Sequence, residues 1–266
     1  KKIRASLVVL CSGLRGDIPE DVVEVAAAAE IVHAATLIHD DIIDEADLRR
    51  GDLTVSRQWG NRIAVLVGDF LYTRALEVAV GHNRLDLFPV MVAATRDMVK
   101  GELYQIEFSN IDVISIQHYF NIIELKTARF LAACAKLGGM KSSLPAEECD
   151  ILYEFGLNLG YAFQIIDDTL DVLENHEITG KDEGNDFLNG KITLPFLYCL
   201  DSLGNQGRTR AIELARKPDE DGWGEVKSLI SASGAIDRCL SESRDYIDRA
   251  LKKLDYFPES VYKKVI

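Results

Sequence analysis

An all-α fold, as one domain over residues 1–266, is the architecture this sequence predicts, and three observations predict it. Apolar residues recur with a helical period almost throughout, and no run alternates as a bounded strand would. Only six prolines occur, and Pro19, Pro89, Pro145, Pro218 and Pro258 fall at the expected joints. The composition, 47% hydrophobic over 266 residues, can bury a substantial core. A formal charge of −13, from 30 Lys and Arg against 43 Asp and Glu, argues against a general basic surface for nucleic acid. Five cysteines occur singly, with no CxxC pair, and read as reduced core residues of a cytoplasmic protein. No run of 18 uninterrupted apolar residues is present, so no transmembrane segment is expected. The first residue is Lys rather than Met, which reads as a truncated N-terminal end without a signal peptide.

Val22–Asp44 is Ala-rich and apolar almost all round, the pattern of a helix at the centre of a bundle, with Asp21 as its start and the Arg49-Arg50-Gly51 stretch as its stop. Ile63–Val80 reads as a second buried helix closed by Gly81. Leu87–Phe108, Ile114–Gly138 and Glu147–Leu173 follow as further long helices. Thr193–Leu203 carries Pro195 in its first turn, where a missing N–H costs nothing. Two amphipathic helices, Arg208–Arg216 and Trp223–Leu254, complete the set.

Chemistry enters at the ends of two of these helices. Asp40, Asp41 and Asp44 close the first long helix, and Asp167, Asp168 and Asp171 repeat the DDxxD spacing near the end of Glu147–Leu173. Asp40 and Asp44 share a helical face, and so do Asp41 and Asp44. Desolvating carboxylates costs several kcal/mol unless something positive pairs with them. Two such clusters behind apolar helices therefore point to a hard cation such as Mg²⁺, which uses few carboxylates and keeps positions for water and phosphate. Cationic residues lie near both: Arg49 and Arg50 after the first, Lys181 and Lys191 in the glycine-bearing 180–191 segment after the second. Lys126 with Thr127 interrupts an apolar helix, and Lys1–Arg4 opens the chain. Carboxylates, a divalent cation and several Lys and Arg together suit a diphosphate.

The sequence resembles the trans-isoprenyl diphosphate synthases, or polyprenyl synthetases, over almost its whole length. The matching residues are Asp40-Asp41-Ile-Ile-Asp44 through Arg49-Arg50-Gly51, Lys126-Thr127, Gly160 to Gln164 and on to Asp167-Asp168-Thr-Leu-Asp171, and the 180–195 segment. Lys1–Arg4 is similar to the end of the family's Gly-Gly-Lys-Arg-Ile-Arg stretch. The resemblance implies a helical bundle around a deep central cavity, a homodimer, and elongation of an allylic diphosphate with isopentenyl diphosphate. By the same resemblance Asp40 and Asp44, with Asp167 and Asp171, ligate Mg²⁺, while Asp41 and Asp168 help through water or by supporting the ligands. Arg49, Lys126, Thr127, Gln164, Lys181 and Lys191 would hold the allylic diphosphate, the last five acting on its departure. Lys1, Arg4, His33 and Arg50 would hold isopentenyl diphosphate, with Lys2 able to exchange roles with Lys1. His33 lies two turns before Asp40 on the same face.

By the same resemblance, in which short-chain farnesyl synthases usually carry bulky aromatics there, the small Ala35 and Thr36 one turn before the first cluster imply an open tunnel and a product longer than farnesyl. A bulky floor is expected deeper, near Phe70 or Leu103–Phe108. Short-chain synthesis of farnesyl or geranylgeranyl diphosphate is the alternative. A terpene cyclase would replace the second cluster, and a non-catalytic subunit of a heteromeric synthase would lose aspartates. A di-iron bundle needs a second Glu-x-x-His element beside Glu30-Ile-Val-His33, and none is present.

Overall fold

The computed structural model describes residues 2–49, 51–81, 85–173 and 184–266. Helix α1 (Ile3–Ser12) precedes α2 (Val22–Ile43), whose buried Val25, Ala28, Ala29 and Val32 pack it against α1 and its later neighbours. The small side chains let backbones approach closely, and the long apolar face supplies the burial. Asp21, at the start of α2, is paired with the buried Lys141 ammonium. The helix stops one residue short of its expected end. The amides of Asp44 and Ala46 cap the carbonyls of Asp40 and Asp41 at 2.8 and 3.0 Å, with Glu45 in a left-handed conformation at φ 49°.

The region read as helix stop and linker holds the one sheet among the described residues. Strands β1 (Leu48–Arg49) and β2 (Asp52–Leu53) pair antiparallel around Gly51, which at φ 88° takes a conformation that disfavours side chains. Thr54 then caps the short α3 (Val55–Trp59): its hydroxyl accepts from the Arg57 amide at 3.2 Å and donates to the Ala46 carbonyl at 2.7 Å. Helix α4 (Asn61–Gly81) lies along α2. At their contact Gly68 leaves room for the His39 ring, since a Cβ there would fall 2.2 Å from His39 Nε2 and the ring would have to turn aside. Among the described residues α2 is the one helix long and apolar enough to cross a membrane, and it packs against α1, α3 and α4.

The remaining helices among the described residues are α5 (Phe88–Glu107), α6 (Ile116–Ile123), α7 (Arg129–Lys141), α8 (Ala146–Leu173), α9 (Asn185–Leu188), α10 (Leu194–Ser202), α11 (Asn205–Arg216), α12 (Glu220–Ala232), α13 (Ala235–Leu254) and α14 (Val261–Val265). Two expected helices turn out to be divided. Ile114–Gly138 becomes α6, a π-helical turn over Glu124–Ala128, and α7. Trp223–Leu254 breaks at Gly234, whose φ of 75° ends α12, and the Ser233 hydroxyl caps the Ala235 amide at 3.2 Å. The architecture is all-α, as the helical periodicity predicts.

Backbone contacts gather the chain into two units, residues 1–96, 130–156 and 251–266 in one and 97–129 and 157–250 in the other. The first contains α1–α4, with Val8, Cys11, Leu131, Leu152 and Phe155 fully buried. The second is organised on a cluster that includes Tyr119, Ile165, Phe187, Leu194, Phe196 and Trp223. All five cysteines are buried and unbridged, and burial raises the thiols of Cys11, Cys134, Cys199 and Cys239, Cys134 and Cys239 each to about 12.

Candidate active site

Both aspartate clusters sit in the last turns of their helices, α2 and α8. Carboxylates there oppose the partial negative charge of the helix end, so helix stability does not explain them. In the first unit Asp41 turns inward and is buried, and Arg49 returns on β1 to hold it. Arg49 Nε and Nη2 lie 2.7 and 2.6 Å from Asp41 Oδ1. Asp40 is half-buried and Asp44 exposed. The hairpin is thus what brings Arg49 to the cluster. We expect Arg49→Met to leave the buried Asp41 carboxylate unpaired and to cost about 2 kcal/mol in urea denaturation, since Arg49 itself is partly screened by solvent. An unchanged urea midpoint would count against this pairing.

The second cluster has the same division. Asp167 is exposed and Asp171 half-buried, while Asp168 is 4% exposed and held at both oxygens. Tyr119 donates its hydroxyl to Asp168 Oδ2 at 2.6 Å, and Gln164 Nε2 donates to Oδ1 at 2.8 Å. Burial pushes the Asp168 carboxyl well up, with Asp186 and Asp167 adding to it, and the bonds from Tyr119 and Gln164 pull the other way. Burial and the adjacent carboxylate also push the Tyr119 hydroxyl well up, which keeps it a donor. Asp186 lies beside the cluster, its amide donating to Asp171 Oδ2 at 3.2 Å.

Lys126 and Thr127 lie on the π turn, a wide turn that inserts one residue into a helix and recurs at functional positions. Thr127 donates to Gln164 Oε1 at 2.7 Å, so a chain of hydrogen bonds runs from the π turn to Asp168. Lys126 pairs with Glu102 and donates to Gln105 Oε1 at 2.9 Å. The turn is also anchored at its first residue. Arg129 bridges Glu124 and the buried Asp97, 2.7 and 2.8 Å away, and Tyr161 donates to Glu124 at 2.5 Å. Two glycines admit it: a Cβ on Gly101 would lie 2.9 Å from the Lys126 amide nitrogen, and one on Gly160 would lie 2.4 Å from Ala128 Cα.

The residues expected at isopentenyl diphosphate are placed as follows. The Arg4 guanidinium lies 5.6 Å over the Phe130 ring, its Nε buried without a hydrogen-bond partner, and burial lowers its pKa against the opposing pull of Cys134 and Glu30. His33 is half-buried on α2. Lys191 is half-buried, with its amide on the Asp186 carbonyl at 2.8 Å. Lys1, Arg50 and Lys181 lie outside the described residues. Ala35 is 1% exposed, and Thr36, half-buried, donates to the His33 carbonyl at 2.9 Å. Phe70 and Leu103, expected near the tunnel floor, are exposed, whereas Phe108 stacks on His118 at 4.0 Å.

The profile of the polyprenyl synthetase family matches residues 1–232. The chain belongs to the polyprenyl synthetase family. It is 34% identical to octaprenyl diphosphate synthase of Escherichia coli over all of this chain and 83% of that protein. It is 36% identical to heptaprenyl diphosphate synthase component 2 of Geobacillus stearothermophilus, over 97% of this chain and 80% of the relative. A polyprenyl synthase from Caulobacter crescentus, solved with calcium and isoprenyl diphosphate, superposes with a TM-score of 0.93 at 36% identity, covering 99% of this chain and 81% of that one. As a polyprenyl synthetase the chain is a trans-prenyltransferase with the all-α fold of that family.

In this synthetase the donor set suits a hard cation. The outer members of both clusters are carboxylates on helix ends, Asp167 and Asp44 exposed and Asp40 and Asp171 half-buried. Among the described residues no three His, Cys, Asp or Glu side chains form a ready-made cage. Mg²⁺ needs none, because one or two carboxylates with water and phosphate oxygens fill its octahedron. Sequence reasoning did not find Tyr119, Gln105, Glu102 or the Arg129 bridge. Tyr119 carries no local signal pointing to a carboxylate 49 residues away.

Proposed function

We propose that this chain elongates an allylic prenyl diphosphate by head-to-tail condensation with isopentenyl diphosphate, releasing diphosphate, in a Mg²⁺-dependent reaction whose product is longer than farnesyl. The observation that carries the reading is the shared division of the two clusters. In each, the middle aspartate is buried and tied to a protein donor, while its neighbours sit toward solvent on the helix end. Likeness to octaprenyl and heptaprenyl diphosphate synthases supports the long product.

In this mechanism Asp40, Asp44, Asp167 and Asp171 would hold Mg²⁺, which when bound would supply charge that stabilises the departing diphosphate. Lys126 and Thr127 contact the same diphosphate from the π turn, with Gln164, Arg49, Lys181 and Lys191 as further contacts. As the allylic C–O bond breaks, the electron pair leaves with the diphosphate, and preorganised cationic side chains meet the growing charge. The double bond of isopentenyl diphosphate forms the new C–C bond, with Lys1, Arg4, His33 and Arg50 holding its diphosphate. The proton then lost passes to the departed diphosphate. The apolar cavity that the family resemblance implies would keep water from the carbocation. No nucleophilic Ser or Cys is required.

The decisive experiment supplies Mg²⁺, an allylic diphosphate and labelled isopentenyl diphosphate and resolves the products by thin-layer chromatography. Absence of any elongated product rejects the proposal, and a product stopping at farnesyl rejects its length. Thr36→Phe is expected to shorten the product by at least one isoprene unit, because a ring at this half-buried position, one turn before the first cluster, would narrow the proposed tunnel. Ala35→Phe is expected to do the same at an added cost of about 1–3 kcal/mol, since its methyl is already enclosed. A product distribution unchanged by both changes counts against this tunnel wall.

The same proposal places the enzyme in the cytoplasm as a homodimer. Ile63, Leu66 and Phe70 form an exposed apolar stripe at helical spacing on α4, the kind of surface that a second copy covers. Likeness to a protein named as component 2 favours a non-identical partner as the second reading, and sedimentation of the purified chain alone distinguishes the two.

A further inference from the structure

The bond from Tyr119 to Asp168 is distinctive for its burial and its direction. Thr127 donates to Gln164, Gln164 donates to Asp168, and Tyr119 donates to the other oxygen of the same carboxylate. Every donor in the chain is oriented toward Asp168, so each bond polarises the next, and the carboxylate terminates them all. Tyr119 reaches this point from α6, three elements removed in sequence from α8 and one before the π turn. It is 3% exposed and belongs to the core cluster of its unit, so its ring cannot swing away without opening that core.

We propose that Tyr119 is a positioning residue for the diphosphate site: its hydroxyl fixes the Asp168 carboxylate, and through Gln164 that carboxylate fixes the Thr127 hydroxyl. The inference rests on the proposed Mg²⁺-diphosphate reading of this site. Removing the hydroxyl leaves Asp168 Oδ2 buried without its donor. The carboxylate then has reason to rotate toward any other donor, which loosens Gln164 and frees Thr127 from its single orientation. Removing a direct support of a metal ligand typically changes affinity by about 10–100-fold, and Tyr119 acts one contact further out, through Asp168, so the lower end of that range is expected.

The test measures binding of inorganic diphosphate in the presence of Mg²⁺ by calorimetry, alongside thermal denaturation, on the full chain. Tyr119→Phe keeps the ring and removes only the hydroxyl, and we expect about tenfold weaker binding of the Mg²⁺-diphosphate pair. Tyr198→Phe is the control, because Tyr198 is buried in the same core and its hydroxyl lies 3.3 Å from Glu242, away from the aspartates. It should leave binding unchanged. Asp168→Asn carries the test from the other end: in that background Tyr119→Phe should add little further loss, since the two act as one unit. Binding by Tyr119→Phe within twofold of the parent overturns the inference, as does an equal loss in Tyr198→Phe or full additivity with Asp168→Asn. A parent protein that binds no diphosphate with Mg²⁺ overturns the functional reading itself, and this inference with it.

Discussion

Replacing Asp40 by alanine is expected to lower kcat/KM by about a thousandfold or more while leaving the thermal midpoint within about 2 °C. The two halves of that expectation have separate causes. Asp40 lies in the last turn of α2, where its charge opposes the helix dipole, so its loss does not weaken the helix. The backbone bond that ends the helix, from the Asp44 amide to the Asp40 carbonyl at 2.8 Å, survives the substitution. The proposed role of its carboxylate is in binding the metal that receives the leaving group, and that interaction strengthens as the transition state forms. Asp41 provides the contrast: it is buried on Arg49, so Asp41→Ala should lose stability as well as activity. Steady-state kinetics with circular dichroism on both variants checks the prediction. If Asp40→Ala kept kcat/KM within tenfold of the parent, the first cluster would not be the metal site.

Gly160→Ala is expected to cost about 2–3 kcal/mol in urea denaturation and to weaken diphosphate binding as well. Its added Cβ would meet the Ala128 backbone at 2.4 Å, and a backbone atom cannot turn aside as a flexible side chain can. Relief requires α8 to move away from the π turn, and that movement stretches the 2.7 Å bond from Thr127 to Gln164. One methyl group should therefore damage packing and site together. Gly224→Ala is the companion measurement: this glycine lies in α12 with nothing near its missing Cβ, so alanine there should stabilise the protein by about 0.5–1 kcal/mol. A Gly160→Ala protein as stable as the parent would show that the helices separate without cost, and the close approach would lose its meaning.

The residues that were legible in advance share one property: their signal is local. The all-α class followed from apolar periodicity, and α2, α4, α5 and α8 lie within two residues of their expected ends. The two aspartate clusters were visible because the same spacing recurs behind two long apolar helices, whereas one copy alone would pass for an ordinary acidic helix end. The divisions within those helices were harder to see. A π turn adds a single residue to a helix, and the apolar pattern on either side of Glu124–Ala128 remains helical. Gly234 was present in the sequence, yet a glycine inside an amphipathic pattern is compatible with either a continuous helix or a break.

Sequence alone determined the fold class, the family resemblance and the identity of both aspartate clusters, because spacing decides which side chains share a helical face. It did not determine which member of each cluster turns inward. Tertiary structure decided that, by bringing Arg49 back on a hairpin to Asp41, and Tyr119 and Gln164 to Asp168. Arg49 needed a turn at Gly51 that no periodicity announces, and Tyr119 needed the packing of α6 against a core assembled from residues far along the chain. A buried carboxylate takes whichever donor the fold delivers, and that delivery depends on long-range packing that local spacing does not encode.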